Sequence, residues 1–160
     1  MRYRILIAAS LLLLLVTAAA FGQSKAKNNQ RVTKDEAAIK SVLEAQCAAW
    51  NRGDIEGFMA GYERSENTIF VGSDDVTRGW QTVLDRYQRN YNTREKMGTL
   101  TFTDLEITPI GNDRALVLMR WHLQRAKDEP HGRSTLLMRR TKQGWKIVYD
   151  HSSAASKSET

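Results

Sequence analysis

The hydrophobic period of the chain changes once, at Gly98, and this change limits the possible folds more than any other feature. Before Gly98, apolar residues recur mainly three or four positions apart, which is typical of amphipathic helices. After Gly98 they alternate with polar residues, which is typical of strands with one buried face. Helices followed by consecutive strands predict an α+β domain, with the helices on one face of a curved antiparallel sheet.

Three helices and one short strand are predicted before Gly98. The first helix, over 35–52, carries the apolar stripe Ile39, Val42, Leu43, Cys47 and Trp50. Gly53 can take the left-handed conformation that ends a helix, and Asp54 can cap the next one. The remaining predicted elements are a helix over 55–62, a strand over 68–72 and a helix over 80–91.

Four strands are predicted after Gly98, and the predicted element order is ααβαββββ. The strands cover about 99–109, 114–125, 133–141 and 145–152. Gly111-Asn112-Asp113 and Lys142-Gln143-Gly144 have the composition of tight turns between strands.

Strand alternation predicts which side chains face the helices. On the second of these strands the uniformly apolar face consists of Ala115, Val117, Met119, Trp121 and Leu123. On the last strand the aromatic face is the better core candidate, and it consists of Trp145, Ile147, Tyr149 and His151. Strict alternation therefore predicts that His151 ends a core-facing row.

Residues 1–22 have the pattern of a secretory signal peptide. Arg2 and Arg4 precede an apolar run, and small residues follow it, so cleavage is expected after Ala20 or after Gly22. The alternative is an uncleaved membrane anchor, but the apolar run from Ile5 to Ala20 is shorter than the roughly 20 residues of a spanning helix. An exported protein, periplasmic or secreted and free of the membrane after cleavage, is therefore predicted.

The remaining chain divides into a tether, one domain and a tail. Residues 23–33 are polar and lack aromatic residues, which predicts a flexible tether. The predicted domain covers 34–153, and 154–160 is expected to be a C-terminal tail. Cys47 is the one cysteine of the chain, and its position in a helical apolar stripe favours burial over pairing between chains.

Charge and motifs exclude several classes of function. The net charge of +6 includes two arginines of the signal segment, and the other basic residues do not alternate with aromatic ones as in nucleic-acid readers. Three dispersed histidines and one cysteine lack metal-ligand spacing. Phosphate-loop and dinucleotide motifs, which would indicate a nucleotide cofactor, are also missing. Taken together, these observations predict no nucleic acid, metal or cofactor.

The segments AAWNRGDIEGFMAGY, TIFVG, RGW and GWKIVYDHSS, in this order, closely resemble the SnoaL-like family of the nuclear transport factor 2-like superfamily. The resemblance covers about 36–153. It implies a cone-shaped curved antiparallel sheet wrapped around three helices, with an apolar pocket open at one end. It also implies homodimers that form through the outer face of the sheet. Members include ketosteroid isomerase, polyketide cyclases and non-catalytic association domains, so function must be argued from the site.

The site hypothesis joins an aromatic pocket to one titratable group. The predicted ligand-binding residues are Tyr62, Trp80, Tyr87, Trp121 and Tyr149. His151 is the candidate general acid or base, since its side chain titrates near neutral pH. The alternative is that the aromatic residues are ordinary core and that His151 is an edge histidine. The catalytic set of ketosteroid isomerase is not identifiable, because the first helix has no tyrosine and the strand over 115–123 has no inward-facing acid.

Two functions follow from these features. The first is binding of a small apolar molecule, with isomerase-, cyclase- or dehydratase-like proton transfer as its possible chemistry. The second is a non-catalytic dimerisation or protein-interaction module. It would use the outer sheet face around Leu116, Leu118, Arg120 and His122, where two leucines stand on a face that is normally polar.

Overall fold

The computed structural model describes residues 29–72 and 74–155, and its contacts divide the chain into two units, 1–35 and 36–160. The predicted signal peptide, residues 1–22, lies outside the described residues, as do 156–160 of the predicted tail. None of the helices in the described ranges combines the length and the apolar character needed to cross a membrane.

The described part of the predicted tether differs from the expectation. Residues 29–33 are helical, and the Thr33 hydroxyl donates a hydrogen bond to the Asn29 carbonyl 3.0 Å away. Gln30 and Arg31 are good helix formers, so a polar composition without aromatic residues does not prevent a helix here. Composition therefore predicted flexibility where the structure has a regular element.

The described residues follow the predicted order ααβαββββ, with one additional short strand and one additional short helix. The first helix, α1, is described over residues 29–51. The other helices are α2 (Ile55–Met59), α3 (Trp80–Asn90) and α4 (Arg94–Met97). The strands are β1 (Ile69–Gly72), β2 (Asp75–Arg78), β3 (Thr99–Ile110), β4 (Arg114–Gln124), β5 (His131–Thr141) and β6 (Gly144–Ala154). The added elements are β2, which pairs with β1, and α4.

The junction between α1 and α2 forms as the sequence predicts. Gly53 has a φ of 86°, and its N–H donates to the Trp50 carbonyl 2.8 Å away. The Asp54 carboxylate then accepts the Gly57 N–H at 2.7 Å, which also keeps the pKa of Asp54 below its ordinary value. These two caps turn the chain so that α2 directly follows α1.

The strands form one curved six-stranded sheet with the order β2-β1-β6-β5-β4-β3. The pairs β3–β4, β4–β5, β5–β6 and β1–β2 are antiparallel, whereas β1 runs parallel to β6. The first strand of the chain therefore lies beside the last one. This pairing brings residues near position 70 next to residues near position 150.

The predicted inner face of β4 is confirmed. Ala115, Val117, Met119 and Leu123 are buried in the same core as the helices, and Trp121 is partly buried against that core. Leu116 on the opposite face is 40% exposed. The strict alternation of β4 thus holds along its whole length.

The alternation of β6 reverses part-way, and the predicted face of its last residues is wrong. The pairing of β5 with β6 shifts between Leu137, opposite Tyr149, and Met138, opposite Ile147, so that Val148 is an extra residue. Trp145 and Ile147 are buried as predicted, but beyond Val148 the buried side chain is Asp150. A β-bulge changes the phase of alternation because two residues of one strand oppose one residue of its partner.

The bulge lies where β6 changes its neighbour on the side away from β5. At Ile147 the backbone bonds to the loop after α2: Ile147 donates to the Gly61 carbonyl, and Glu63 donates to the Ile147 carbonyl. From Tyr149 onward the neighbour on this side is β1, starting at Ile69. The extra residue therefore separates a loop-paired half of β6 from a strand-paired half.

Cys47 should react slowly with thiol reagents in the folded protein. Its side chain is partly buried against the core, and this burial raises the pKa of the thiol from 9.0 to about 11. Only the thiolate reacts, so at pH 8 native alkylation should be about 100-fold slower than for an ordinary thiol. Mass spectrometry after timed exposure to iodoacetamide measures this rate.

The control for Cys47 is the same chain in guanidinium chloride, where the thiol is exposed and should react at the ordinary rate. Equal rates in the native and denatured states would contradict the prediction. The slow rate also predicts that purified protein contains few dimers linked by Cys47.

Candidate functional site

A cavity of about 200 Å³ lies between the helices and the inner face of the sheet, within the unit formed by residues 36–160. Its wall is mostly apolar, with polar groups from α1, the loop after α2, α3, β5 and β6. The apolar lining includes Trp50, Phe58, Phe70, Leu100, Phe102, Met119, Leu123, Leu136 and Ile147, and the polar lining includes Gln46, Tyr62, Arg86, Tyr87, Ser134, Asp150 and Ser152.

Edge-to-face aromatic contacts build the helical wall of the cavity. The Trp50 ring lies 5.1 Å from the Phe58 ring and 4.7 Å from the Tyr91 ring, measured between centroids. Tyr87 contacts Phe58 at 5.1 Å and Phe70 at 5.8 Å, which links α3 to β1. The Trp50 indole N–H also donates to the Met97 carbonyl at 3.0 Å. Each aromatic pair contributes about 0.5–1.5 kcal/mol beyond the burial of its surface, and the pairs hold the rings in place.

Asp150 is the buried acid of the cavity, with 4% of its surface exposed. One carboxylate oxygen accepts the Tyr62 hydroxyl at 2.6 Å, and the other accepts the Ser152 hydroxyl at 2.7 Å. The Ser152 hydroxyl also bonds to the Ser134 hydroxyl at 2.6 Å. Burial is the main cause that raises the pKa of Asp150, and the hydroxyl donors oppose it.

The two buried tyrosines keep their protons, and Tyr62 donates its proton in the hydrogen bond to Asp150. Burial raises the pKa of Tyr62 well above 10, and the negative charge of Asp150 raises it further. Burial also raises the pKa of Tyr87, and the negative charge of Asp150 raises it further. Asp150 is therefore the acid of this cluster, its pKa raised by burial, and the phenols beside it stay neutral.

Arg86 supplies a positive charge to the cavity wall. It lies on α3 directly before Tyr87 and is half-buried. The guanidinium carbon lies 4.5 Å from the centroid of the Phe70 ring. This stacked geometry places a charged planar group at the edge of an otherwise aromatic surface.

Three of the predicted ligand-binding residues line the cavity: Tyr62, Tyr87 and Trp121. Trp121 on β4 lies opposite Gly132 on β5, and a side chain at Gly132 would collide with the indole. Trp80 is not part of this lining. Its indole N–H donates to the Met59 carbonyl at 3.0 Å, and the Arg64 guanidinium covers its ring.

Tyr149 and His151 lie on the outer face of the sheet, so their predicted placement in the interior is wrong. Tyr149 is 37% exposed, and His151 is also exposed. The cause is the bulge at Val148, which turns both side chains outward and turns Asp150 and Ser152 inward. Asp150 and His151 point to opposite faces of the sheet, so the carboxylate does not orient the imidazole.

Sequence reasoning misses three residues of the cavity, and two of them depend on the same reversal. Strict alternation puts Asp150 and Ser152 on the face opposite Trp145, and Arg86 is one of several basic residues that the sequence does not assign to the site. One signal for the first two exists in the sequence: the adjacent apolar residues Ile147 and Val148 interrupt strict alternation. The helical spacing of α3 contains a weak signal for Arg86, which lies three residues after buried Val83 and beside the apolar stripe, whereas exposed Arg89 lies on the opposite side of the helix.

The family of the chain follows from its sequence as well as its fold. The family model described as SnoaL-like domain matches residues 39–157. The chain belongs to the SnoaL-like family. No curated protein matches the chain. Within residues 29–72 and 74–155, no group of three or more His, Cys, Asp or Glu side chains could hold a metal ion.

Solved structures with the same fold include an NTF-2 like protein of unknown function from Shewanella oneidensis. It is 39% identical to this SnoaL-like chain over 74% of the chain and 98% of its own length, with a TM-score of 0.71. A cystatin-like fold domain of unknown function from Nostoc punctiforme is 22% identical, covers 79% and 81% of the two chains, and has a TM-score of 0.66. A ketosteroid isomerase-like protein from Erwinia carotovora atroseptica is 19% identical, covers 75% and 95%, and has a TM-score of 0.61.

The free energy of unfolding of Asp150→Asn, compared with that of wild type, should increase as the pH rises. A raised carboxyl pKa means that the native state favours the protonated form. The native protein is therefore most favoured below the ordinary pKa of 3.8 and loses this contribution as the pH rises through the native pKa. In Asp150→Asn the contribution is constant, and the hydrogen bond from Tyr62 can be kept.

Urea unfolding of both proteins from about pH 4 to about pH 8 measures the difference in unfolding free energy. The difference should move in favour of the variant by about 1.4 kcal/mol for each unit by which burial raises the pKa. Other titrating groups are common to both proteins and cancel. A difference that stays constant over this range would contradict the buried, raised pKa of Asp150.

Proposed function

We propose that this SnoaL-like domain binds a small, mainly apolar molecule in the cavity and exchanges a proton with it through Asp150. The observation that carries the proposal is a buried carboxyl group, joined to two hydroxyls, inside an aromatic-walled cavity. A cavity of about 150 Å³ holds benzene, so about 200 Å³ suits one substituted ring.

The wall of the cavity favours binding because its rings hold one another in place. Phe58 meets both Trp50 and Tyr87 edge to face, with 5.1 Å between ring centroids in each pair. A ligand therefore gains the burial of its apolar surface, at about 25 cal/mol per Å², with a small cost for ordering the protein.

Asp150 supports the proton-transfer part of the proposal. A carboxylate with a raised pKa is a stronger base than an ordinary one, and a site that excludes water strengthens its interaction with a polarised C–H bond. The neutral Tyr62 hydroxyl donates to the Asp150 carboxylate, and once Asp150 has taken up the proton this hydroxyl is the nearby donor for negative charge that develops on the ligand. The proposed reaction class is proton abstraction next to a carbonyl group, as in isomerases, cyclases and dehydratases.

The proposed setting is outside the cytoplasm. Its support is the pattern of residues 1–22 in the sequence, with a basic start, an apolar run and a small-residue end.

Cyclohexanone is a suitable probe for the proton transfer, because it is a single ring with acidic protons next to a carbonyl group. In deuterated buffer the protein should accelerate exchange of these protons, and Asp150→Asn should lose about 10²-fold or more of that acceleration. Proton NMR measures the exchange rate, and quenching of the Trp50 and Trp121 fluorescence reports binding.

The matched control is Asp85→Asn, which removes a carboxylate from α3 outside the cavity lining and should leave exchange unchanged. Met119→Trp, which adds bulk at the cavity wall, should reduce both binding and exchange. A protein in which Asp150→Asn binds cyclohexanone and exchanges it as fast as wild type would contradict the catalytic role.

A second candidate function, self-association, is favoured by an apolar outer face of the sheet. Four apolar side chains lie side by side across β4, β5, β6 and β1, and each neighbouring pair is in register: Leu116, Leu137, Tyr149 and Ile69. Val71 and Val76 extend this surface onto β2, where Val76 is 54% exposed. A sheet face that meets water is normally polar, so we propose that a second copy of the chain covers this surface.

The variant Leu116→Lys/Tyr149→Lys should weaken the proposed dimer by at least about 10-fold in Kd, because it places two charges inside the apolar contact. Sedimentation velocity over a range of protein concentrations measures the change. The control is Ala45→Lys at an exposed position on α1, which should leave the dimer intact. A wild-type protein that stays monomeric at high concentration would contradict this second function.

A further inference from the structure

The further inference concerns Arg86 and the chemical class of the ligand, and it rests on the proposed binding function. Arg86 presents its guanidinium to the cavity from α3, stacked on the Phe70 ring of β1 at 4.5 Å. Nη2 of Arg86 lies 3.5 Å from the position that a Cβ on Gly72 would occupy. The charged group therefore reaches over β1 toward its neighbour β6.

Gly72 leaves room for this arrangement. A side chain at Gly72 would come within 2.7 Å of the Phe70 ring, so residue 72 must be small for the ring to support the guanidinium. Gly72 lies opposite Ser152, whose hydroxyl belongs to the polar group around Asp150. The positive charge and the hydroxyls thus meet at the same end of the cavity.

The guanidinium has no anionic partner among the residues that the structure describes. The ion pairs found in residues 29–72 and 74–155 involve other cations, such as Arg139 with Glu63 and Arg133 with Asp104. Asp150 acts on Arg86 through space, but its carboxylate oxygens accept the Tyr62 and Ser152 hydroxyls. A half-buried guanidinium has five N–H donors, and an anion that binds them is worth more here than in open water.

We propose that Arg86 binds the carboxylate of the ligand, and that the ligand is a small carboxylic acid about one ring in size. The chemistry of the guanidinium selects this class. A planar carboxylate matches two parallel guanidinium N–H groups, and the oxygens of Asp150 already accept the Tyr62 and Ser152 hydroxyls, which leaves the Arg86 N–H groups to the ligand. The volume of about 200 Å³ then leaves space for one ring against the aromatic wall.

Benzoate and benzamide test the proposal because they have the same ring and nearly the same shape, and only benzoate is charged. Isothermal titration calorimetry on the full chain measures both affinities, and tryptophan fluorescence reports entry into the cavity. Wild type should bind benzoate at least about 10-fold more tightly than benzamide. In Arg86→Gln the affinity for benzoate should fall by at least about 10-fold, while that for benzamide stays within about 2-fold.

Two further variants separate charge from fold. Arg89→Gln removes the same charge from an exposed position of α3 and should keep the preference for benzoate. Arg86→Lys keeps the charge but loses the planar pair of donors, so it should retain part of the preference even if Arg86→Gln folds poorly.

The outcomes distinguish this inference from the function on which it rests. Equal affinities of wild type for benzoate and benzamide, or unchanged benzoate binding in Arg86→Gln, would overturn the role of Arg86 and leave ring binding in place. Failure of benzoate, benzamide and cyclohexanone alike to bind would overturn the proposed function together with this inference.

Discussion

The single extra residue in β6 controls the chemistry of the interior. Val148 has no counterpart on β5, and its presence turns Asp150 and Ser152 inward and Tyr149 and His151 outward. Without the bulge, the same strand would present a tyrosine and a histidine to the helices and an acid to the outer face. One backbone irregularity thus replaces a histidine with a buried carboxyl group in the cavity.

Burial of that carboxyl group is tolerated because its oxygens are hydrogen-bonded. Tyr62 and Ser152 donate to Asp150, and each is held by a different part of the fold: the loop after α2 and the end of β6. An acid buried without such donors would cost several kcal/mol, so the hydroxyls are part of the reason that the site can exist. The cost that remains appears as the raised pKa of Asp150.

The two faces of the sheet separate the two proposed functions. The inner face and the helices enclose a cavity with an aromatic wall, a buried acid and the Arg86 guanidinium. The outer face carries the in-register apolar residues Leu116, Leu137 and Tyr149, which suit contact with a second chain. Because successive side chains of a strand alternate between faces, a dimer formed on one face leaves the cavity on the other face available.

The sequence by itself determined the fold class, the element order and the inner face of β4, because these depend on hydrophobic period and on local caps such as Gly53 and Asp54. It also identified Tyr62, Tyr87 and Trp121 as side chains of a common interior. Only the tertiary structure decided that Asp150 replaces His151 in the cavity, since the bulge arises where β6 changes its pairing from the loop after α2 to β1. Arg86 joins the site for a similar reason. Its guanidinium stacks on Phe70 and lies beside Gly72, both on β1. A contact between α3 and a strand that is distant in sequence cannot be predicted from the residues around Arg86.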